Sequence, residues 1–186
     1  MKNIKINFTN IPTLSLLLFL ICLTRISHEL TAFSLPDASL IILFAAGILL
    51  RKTRFLIILL LGIIFLDNFA IYSYSYEKIS LFNSGYYIHL ASYIFVWLVA
   101  HQMRSLNLAI FSTRSFLVIS IGFVLSYVSY FYLQNIGSLN SLSIWAFLSN
   151  NIYSYFLSNG LYAAILYVLL KAHESLSSSS NGLFAK

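Results

Sequence analysis

Charge is what this chain has least of. Asp, Glu, Lys and Arg make up 9% of its 186 residues, and only five of those are acids. An ordinary soluble domain carries about 25% charged residues. A water-facing surface is therefore excluded, and the composition implies an integral membrane protein. Cysteine is nearly absent too. Cys22 stands alone, which rules out an internal disulfide and any cysteine-rich metal site. With no companion base nearby in sequence, its thiol reads as a packed side chain. The common catalytic and nucleotide-binding signatures are missing: no G-x-S-x-G, no H-E-x-x-H and no glycine-rich phosphate loop.

What is there is apolar. Hydrophobic residues are 60% of the chain, and the mean hydropathy is +0.87. The apolar runs are continuous rather than alternating, so they predict helices and not a transmembrane barrel. Six spans are expected. The first lies between Lys5 and Arg25, with Pro12 in its opening turns, where proline is tolerated. Lys2 and Lys5 ahead of Leu16 to Leu23 resemble a signal peptide. Arg25, His28 and Glu29 follow instead of a small-x-small cleavage site, so the helix is expected to be retained.

After a polar loop over 25–36, span two runs from about Asp37 to Leu50 and span three from Phe55 to about Tyr74. Span four is Tyr86 to Gln102, span five Ser115 to Leu133, and span six about Ile152 to Leu170. Residues 134–151 are expected to form a loop with a short interfacial helix. The chain thus divides into a helical domain over 1–174 and a serine-rich tail over 175–186 that is expected to be disordered and cytoplasmic.

The net charge is +6, but the bases sit at segment ends, which makes them topology anchors rather than a nucleic-acid surface. Lys2, Lys5, Arg51, Lys52, Arg54, Arg104, Arg114, Lys171 and Lys186 fall on one side, and only Arg25 and Lys78 on the other. The positive-inside rule then puts both termini in the cytoplasm.

Two acids stand out. Asp37 precedes Arg51 by 14 residues (51 − 37), and Asp67 follows Arg54 by 13 (67 − 54). On antiparallel helices each stands about 20 Å from the basic turn. Both should lie at one depth in the outer part of the membrane, where an acid needs a partner or a watered cavity. Asp37, followed by Ala38-Ser39, also suits a helix N-cap. Asp67 interrupts an apolar run and reads as a cavity residue or an interhelical hydrogen-bond partner.

Aromatics concentrate at the same end. Ten of the thirteen tyrosines fall at the expected outer ends of spans three to six, Tyr86, Tyr87 and Tyr155 among them. Such a cluster is either an interfacial belt or an outward-facing vestibule. His89 shares one helical face with Tyr86, Tyr93 and Trp97. That histidine reads as a ligand-facing residue, a metal ligand, or a hydrogen-bond partner of a neighbouring helix. Ala45-Ala46-Gly47, and Gly160 with Ala164, would let helices approach closely or dock a partner.

The run Pro36-Asp37-Ala38-Ser39, then Phe44-Ala45-Ala46-Gly47 before the basic turn, resembles a proteobacterial family of six-helix membrane proteins. This is the vitamin B12 (cobalamin) S-component family known as BtuM, related to energy-coupling-factor transporters. Asp67, Tyr87, Tyr93 and Trp97 extend the likeness, and Ser126 to Tyr132 and Tyr153 to Tyr167 follow it more loosely. The resemblance implies cobalamin capture from the outer side of the bacterial inner membrane, as a transported ligand rather than a cofactor. It further implies uptake with an energy-coupling ATPase module or without one. The family carries a cobalt-ligating cysteine shortly before the tyrosine that opens span four. Here that region reads Leu81-Phe82-Asn83-Ser84-Gly85, with no cysteine, which puts cobalt–thiolate ligation in doubt; His89 as a substitute cobalt ligand, a different vitamin-like ligand, and cobalamin held by shape alone are the alternatives.

The expectation is thus an all-α S-component-like bundle with a tyrosine-lined pocket built by Asp37, Asp67, Tyr86, Tyr87, His89 and Tyr93. It would be a binding protein rather than an enzyme. An intramembrane enzyme acting on lipid or peptide, and a non-transporting assembly protein, are the alternatives.

Overall fold

The computed structural model describes residues 10–30, 36–74, 84–133 and 141–183, and every element among them is a helix. Six helices follow in order: α1 (Asn10–Leu30), α2 (Ser39–Leu49), α3 (Thr53–Tyr74), α4 (Ser84–His101), α5 (Leu108–Leu133) and α6 (Ser141–Leu183). Three stretches are long and apolar enough to cross a membrane: Thr53–Ala70, Leu108–Val128 and Leu148–Ser175. Ile11–Arg25 and Ser39–Leu49 are apolar but shorter.

The chain is organised around α2. Its 11 residues rise only about 17 Å, yet Ser39 through Ile48 are all buried. A helix apolar on every side belongs in the middle of a bundle, and α2 packs against α1, α3, α4 and α6. Gly47 makes the α2–α4 approach close, since a Cβ there would stand 2.6 Å from both the Ala100 Cβ and the Trp97 carbonyl oxygen. Phe44 meets Phe111 of α5 edge-on at 5.6 Å, and Phe111 in turn meets Tyr167 of α6 at 5.1 Å. The outer helices show the opposite pattern. Ile57, Leu61, Phe65 and Phe69 form an exposed ridge on α3, and Leu157, Leu161, Ile165 and Leu169 form one on α6. Apolar ridges at four-residue spacing are what a bundle turns toward lipid.

Several helix limits differ from the sequence expectation, each for a local reason. The first helix does not stop at Arg25 but continues to Leu30. No Gly or Pro interrupts that turn, and the charge of Arg25 is met inside the bundle. The fifth helix starts at Leu108, ahead of the expected Ser115. Asn107 Oδ1 accepts from the Ala109 N–H at 2.8 Å and caps it, and Arg114 donates to the Val99 carbonyl at 2.9 Å, so its charge does not end the helix.

The sixth is one helix of 43 residues. It absorbs residues 141–151, expected as a loop with a short interfacial helix, and stays helical to Leu183, through the segment expected to be a disordered tail. Asp37 is not the N-cap residue of α2. Ala38 holds that position with no side-chain cap. The α2–α3 turn is tight, with Arg51 in the left-handed region at φ 46°, held by donation to the Met103 carbonyl at 2.7 Å.

Candidate functional site

The polar residues of this chain converge at the N-terminal end of α2. Arg25 reaches there from α1, its side chain 15% exposed. Leu17, Ile21 and Thr24 on the same helix are all buried, and this periodicity turns Arg25 toward the interior. Its Nη2 pairs with Asp67 Oδ1 at 2.8 Å. Its Nη1 lies 3.7 Å from Asp37 Oδ2 and donates to Ser39 Oγ at 3.0 Å and to Tyr93 Oη at 3.1 Å. One guanidinium thus joins α1, α2, α3 and α4. A planar fork with five donors suits this role better than an ammonium.

Both acids are further held. Tyr86 Oη donates to Asp67 Oδ2 at 2.8 Å. Asp37 Oδ1 accepts from the Ser39 N–H at 2.9 Å and from Ser39 Oγ at 2.6 Å. That is an Asx-turn leading into the helix, a capping interaction made from one residue earlier than the N-cap.

Tyr93 carries the network onward. Arg25 has only donors, so the Tyr93 oxygen accepts from it. His89 Nε2 stands 2.8 Å from the same hydroxyl, and Nδ1 faces Ser126 Oγ at 3.5 Å; a neutral imidazole donates at one of these contacts and accepts at the other. The two rings also meet edge-on, with centroids 4.6 Å apart.

Beside this chain of groups opens a cavity of about 360 Å³. Pro36, Asp37 and Leu40 form its α2 side, His89 and Tyr93 its α4 side, and Ser126 its α5 side. The whole opposite wall is α6, with Asn151, Ser154, Tyr155, Ser158 and Asn159. These recur at helical spacing and so share one face. Tyr162 Oη donates to the Pro36 carbonyl at 3.0 Å and joins α6 to the rim.

The residues singled out from sequence therefore separate into three groups. Asp37, His89 and Tyr93 line the cavity. Asp67 and Tyr86 stand one layer back, coupled to it through Arg25. Tyr87 is 58% exposed and is not on the cavity wall, because the next residue of a helix points about 100° away from Tyr86. Of the tyrosine cluster, Tyr155 lines the cavity, while Tyr72 and Tyr153 are exposed; Tyr76 lies outside the described residues. The shared face of α4 is real: Tyr86, Tyr93 and Trp97 are buried along it, and Trp97 stacks on His101 at 4.7 Å. Two sets of residues carry the site without having been singled out: Arg25, and the asparagines and serines that flank Tyr155 on the α6 face.

The arrangement limits the chemistry. Ser126 beside His89 has the composition of a nucleophile and base. A serine base must stand within good hydrogen-bond reach of the hydroxyl, and Ser126 Oγ lies 3.5 Å from His89 Nδ1, at the outer limit for such a bond. Both ring nitrogens of His89 face partners, so a cobalt–imidazole bond would have to displace one of them. Among the described residues no group of three or more His, Cys, Asp or Glu could hold a metal ion. The cavity sets a few hydrogen-bonding side chains among largely apolar walls, the make-up of a small-molecule pocket.

Set against known proteins, the chain matches no family model and no curated protein sequence.

Proposed function

We propose that the chain is a six-helix inner-membrane substrate-binding protein, with both termini cytoplasmic, that takes up cobalamin or a related corrinoid from the outer side. The observation that carries this reading is the open cavity beside α2, which sets hydrogen-bonding side chains among largely apolar walls. Its rim residues, Pro36 and Asp37, belong to the Pro36-Asp37-Ala38-Ser39 motif on which the resemblance to the cobalamin S-component family rests. Small-molecule pockets occupy roughly 300–1,000 Å³. At about 360 Å³ the cavity would take one amide-bearing edge of a corrin ring, with the remainder of the ligand in the mouth.

Orientation is supported by the bases. With Arg25 paired inside the bundle, Lys78 is the other base in the sequence expected outside, against nine expected on the cytoplasmic side. Inward release then requires the bundle to loosen around α2, and the Arg25 network, which ties four helices, is the contact to be broken. An energy-coupling ATPase module is one way to drive that step; the chain acting alone is the other.

The test is thermal unfolding of the purified protein in detergent with cobalamin, cobinamide and unrelated vitamins. A ligand that binds only the folded state raises Tm. Corrinoids should stabilise the protein and the other vitamins should not. A panel in which no corrinoid raises Tm overturns the assignment.

A further inference from the structure

We propose that the basic turn between α2 and α3 is a binding site for an anionic phospholipid. Arg51, Lys52, Arg54 and Arg104 hold its phosphate, and an acyl chain lies along the outer face of α3. This site is separate from the cavity and does not rest on the corrinoid reading.

The two loops that carry these cations are stitched together. Arg51 donates from Nε to the Ile48 carbonyl at 3.3 Å and from Nη2 to the Met103 carbonyl at 2.7 Å. The first bond holds the side chain to α2. The second brings it against the loop that follows α4, beside Arg104. The backbone of Arg51 is left-handed, at φ 46°, and the Arg54 guanidinium lies over the Phe55 ring at 4.9 Å. Topology alone asks only that bases lie on this side of the membrane. It does not account for an arginine bent into the left-handed region and pinned to two carbonyls.

All four cations are exposed, and among the described residues none of them forms an ion pair. The acids that do pair, Asp37, Asp67 and Glu174, are bound to Arg25 and Lys171. Like charges on two adjoining loops repel one another, and an anion placed between them removes that cost. Guanidinium forks match the oxygens of a phosphate.

A lipid is favoured over free phosphate by the surface that begins at the same place. Ile57 and Ile58 follow Arg54 by three and four residues, so they share its face of α3. Ile57, Leu61, Phe65 and Phe69 carry that face onward, each between 53% and 69% exposed. From Ile57 to Phe69 the ridge rises about 18 Å, against about 15 Å for one leaflet of the hydrocarbon core. A free phosphate would use the cations and leave the ridge bare. A phospholipid meets both at once, and an anionic headgroup does so without bringing a cation of its own to the cluster.

The full-length protein in a neutral detergent tests this by thermal unfolding. The additions are phosphatidylglycerol, phosphatidylcholine with the same acyl chains, and glycerol 1-phosphate, at equal concentrations. Phosphatidylglycerol near ten times its Kd should raise Tm by about 3 °C. The zwitterionic lipid and the chain-free phosphate should each give a clearly smaller shift. Lys52→Gln with Arg54→Gln should weaken phosphatidylglycerol about thirtyfold and bring its shift down to that of phosphatidylcholine. Lys171→Gln, at an exposed base outside the two loops, should keep the shift. Equal shifts from the two lipids overturn the proposal, and so does a full shift retained in the double variant. A shift from glycerol 1-phosphate as large as that from phosphatidylglycerol makes the site one for free phosphate and overturns the lipid. The comparison of the three additions holds in the wild-type protein even if the double variant does not fold.

Discussion

The Arg25 guanidinium and the Asp67 carboxylate meet at 2.8 Å, each side chain 15% exposed. Removing one member of a buried pair leaves the other charged and unmatched, at about 3–5 kcal/mol. Arg25→Ala should therefore lower Tm by roughly 10 °C for a chain of this size, and Arg25→Gln with Asp67→Asn should recover part of the loss. An Arg25→Ala protein that melts with the wild type would show that the pair contributes nothing.

Tyr86 offers a graded comparison. Its hydroxyl donates to the other oxygen of Asp67, and a hydrogen bond to a charged group is worth about 1.5–3 kcal/mol. Tyr86→Phe should destabilise less than Arg25→Ala. Tyr72→Phe, at a residue 89% exposed, should stay within about 0.5 kcal/mol of wild type. Chemical or thermal unfolding in one detergent ranks the three, and any other order breaks the account of the network.

Two glycines should respond in opposite ways to the same change. A methyl group at Gly47 would run into the Trp97 carbonyl oxygen and the Ala100 Cβ, and backbone cannot step aside. Gly47→Ala should cost about 1–3 kcal/mol through overpacking. Around Gly160 nothing lies within 4 Å, so Gly160→Ala should gain up to about 1 kcal/mol from helix propensity. Comparable losses at both positions would contradict the α2–α4 contact.

Nitrogen chemical shifts can read the His89 tautomer directly. Tyr93 Oη lies 2.8 Å from Nε2, and where the hydroxyl donates, the proton belongs on Nδ1. Tyr93→Phe deletes that donor and should shift the population toward the Nε2–H form. An unchanged tautomer ratio would mean that Tyr93 does not set it.

Much of this site was legible from spacing. Asp37 and Asp67 stand at equal distances from the basic turn, and Arg25 does bind both. Arg25 itself was read as the start of an outer loop, because a base after an apolar run usually marks the membrane edge. Its neighbours held the contrary signal, since Leu17, Ile21 and Thr24 place it on the buried face. The α6 wall was hidden for a different reason. Tyr155 was part of the tyrosine cluster, but Asn151, Ser154, Ser158 and Asn159, which share its helical face, do not stand out by composition in so serine-rich a chain. The pairing of Gly160 with Ala164 went the other way, since Gly160 faces open space rather than a packed helix. Small residues permit close approach without requiring it.

The position of Arg25 on α1, with its counter-charges on α2 and α3, also sets an order of events during synthesis. The guanidinium leaves the ribosome before Asp37 and well before Asp67. Arg25 closes the apolar stretch Ile11–Arg25 of α1, and an unpaired arginine is costly to bury, up to about 2.5–3.5 kcal/mol at the centre of a bilayer, so that end of α1 is poorly buried while it is alone. Its final depth is settled only when α3 delivers the carboxylate. A nascent chain cut short before Asp67 should therefore leave its first helix near the membrane surface, and the same chain extended past Asp67 should draw it in.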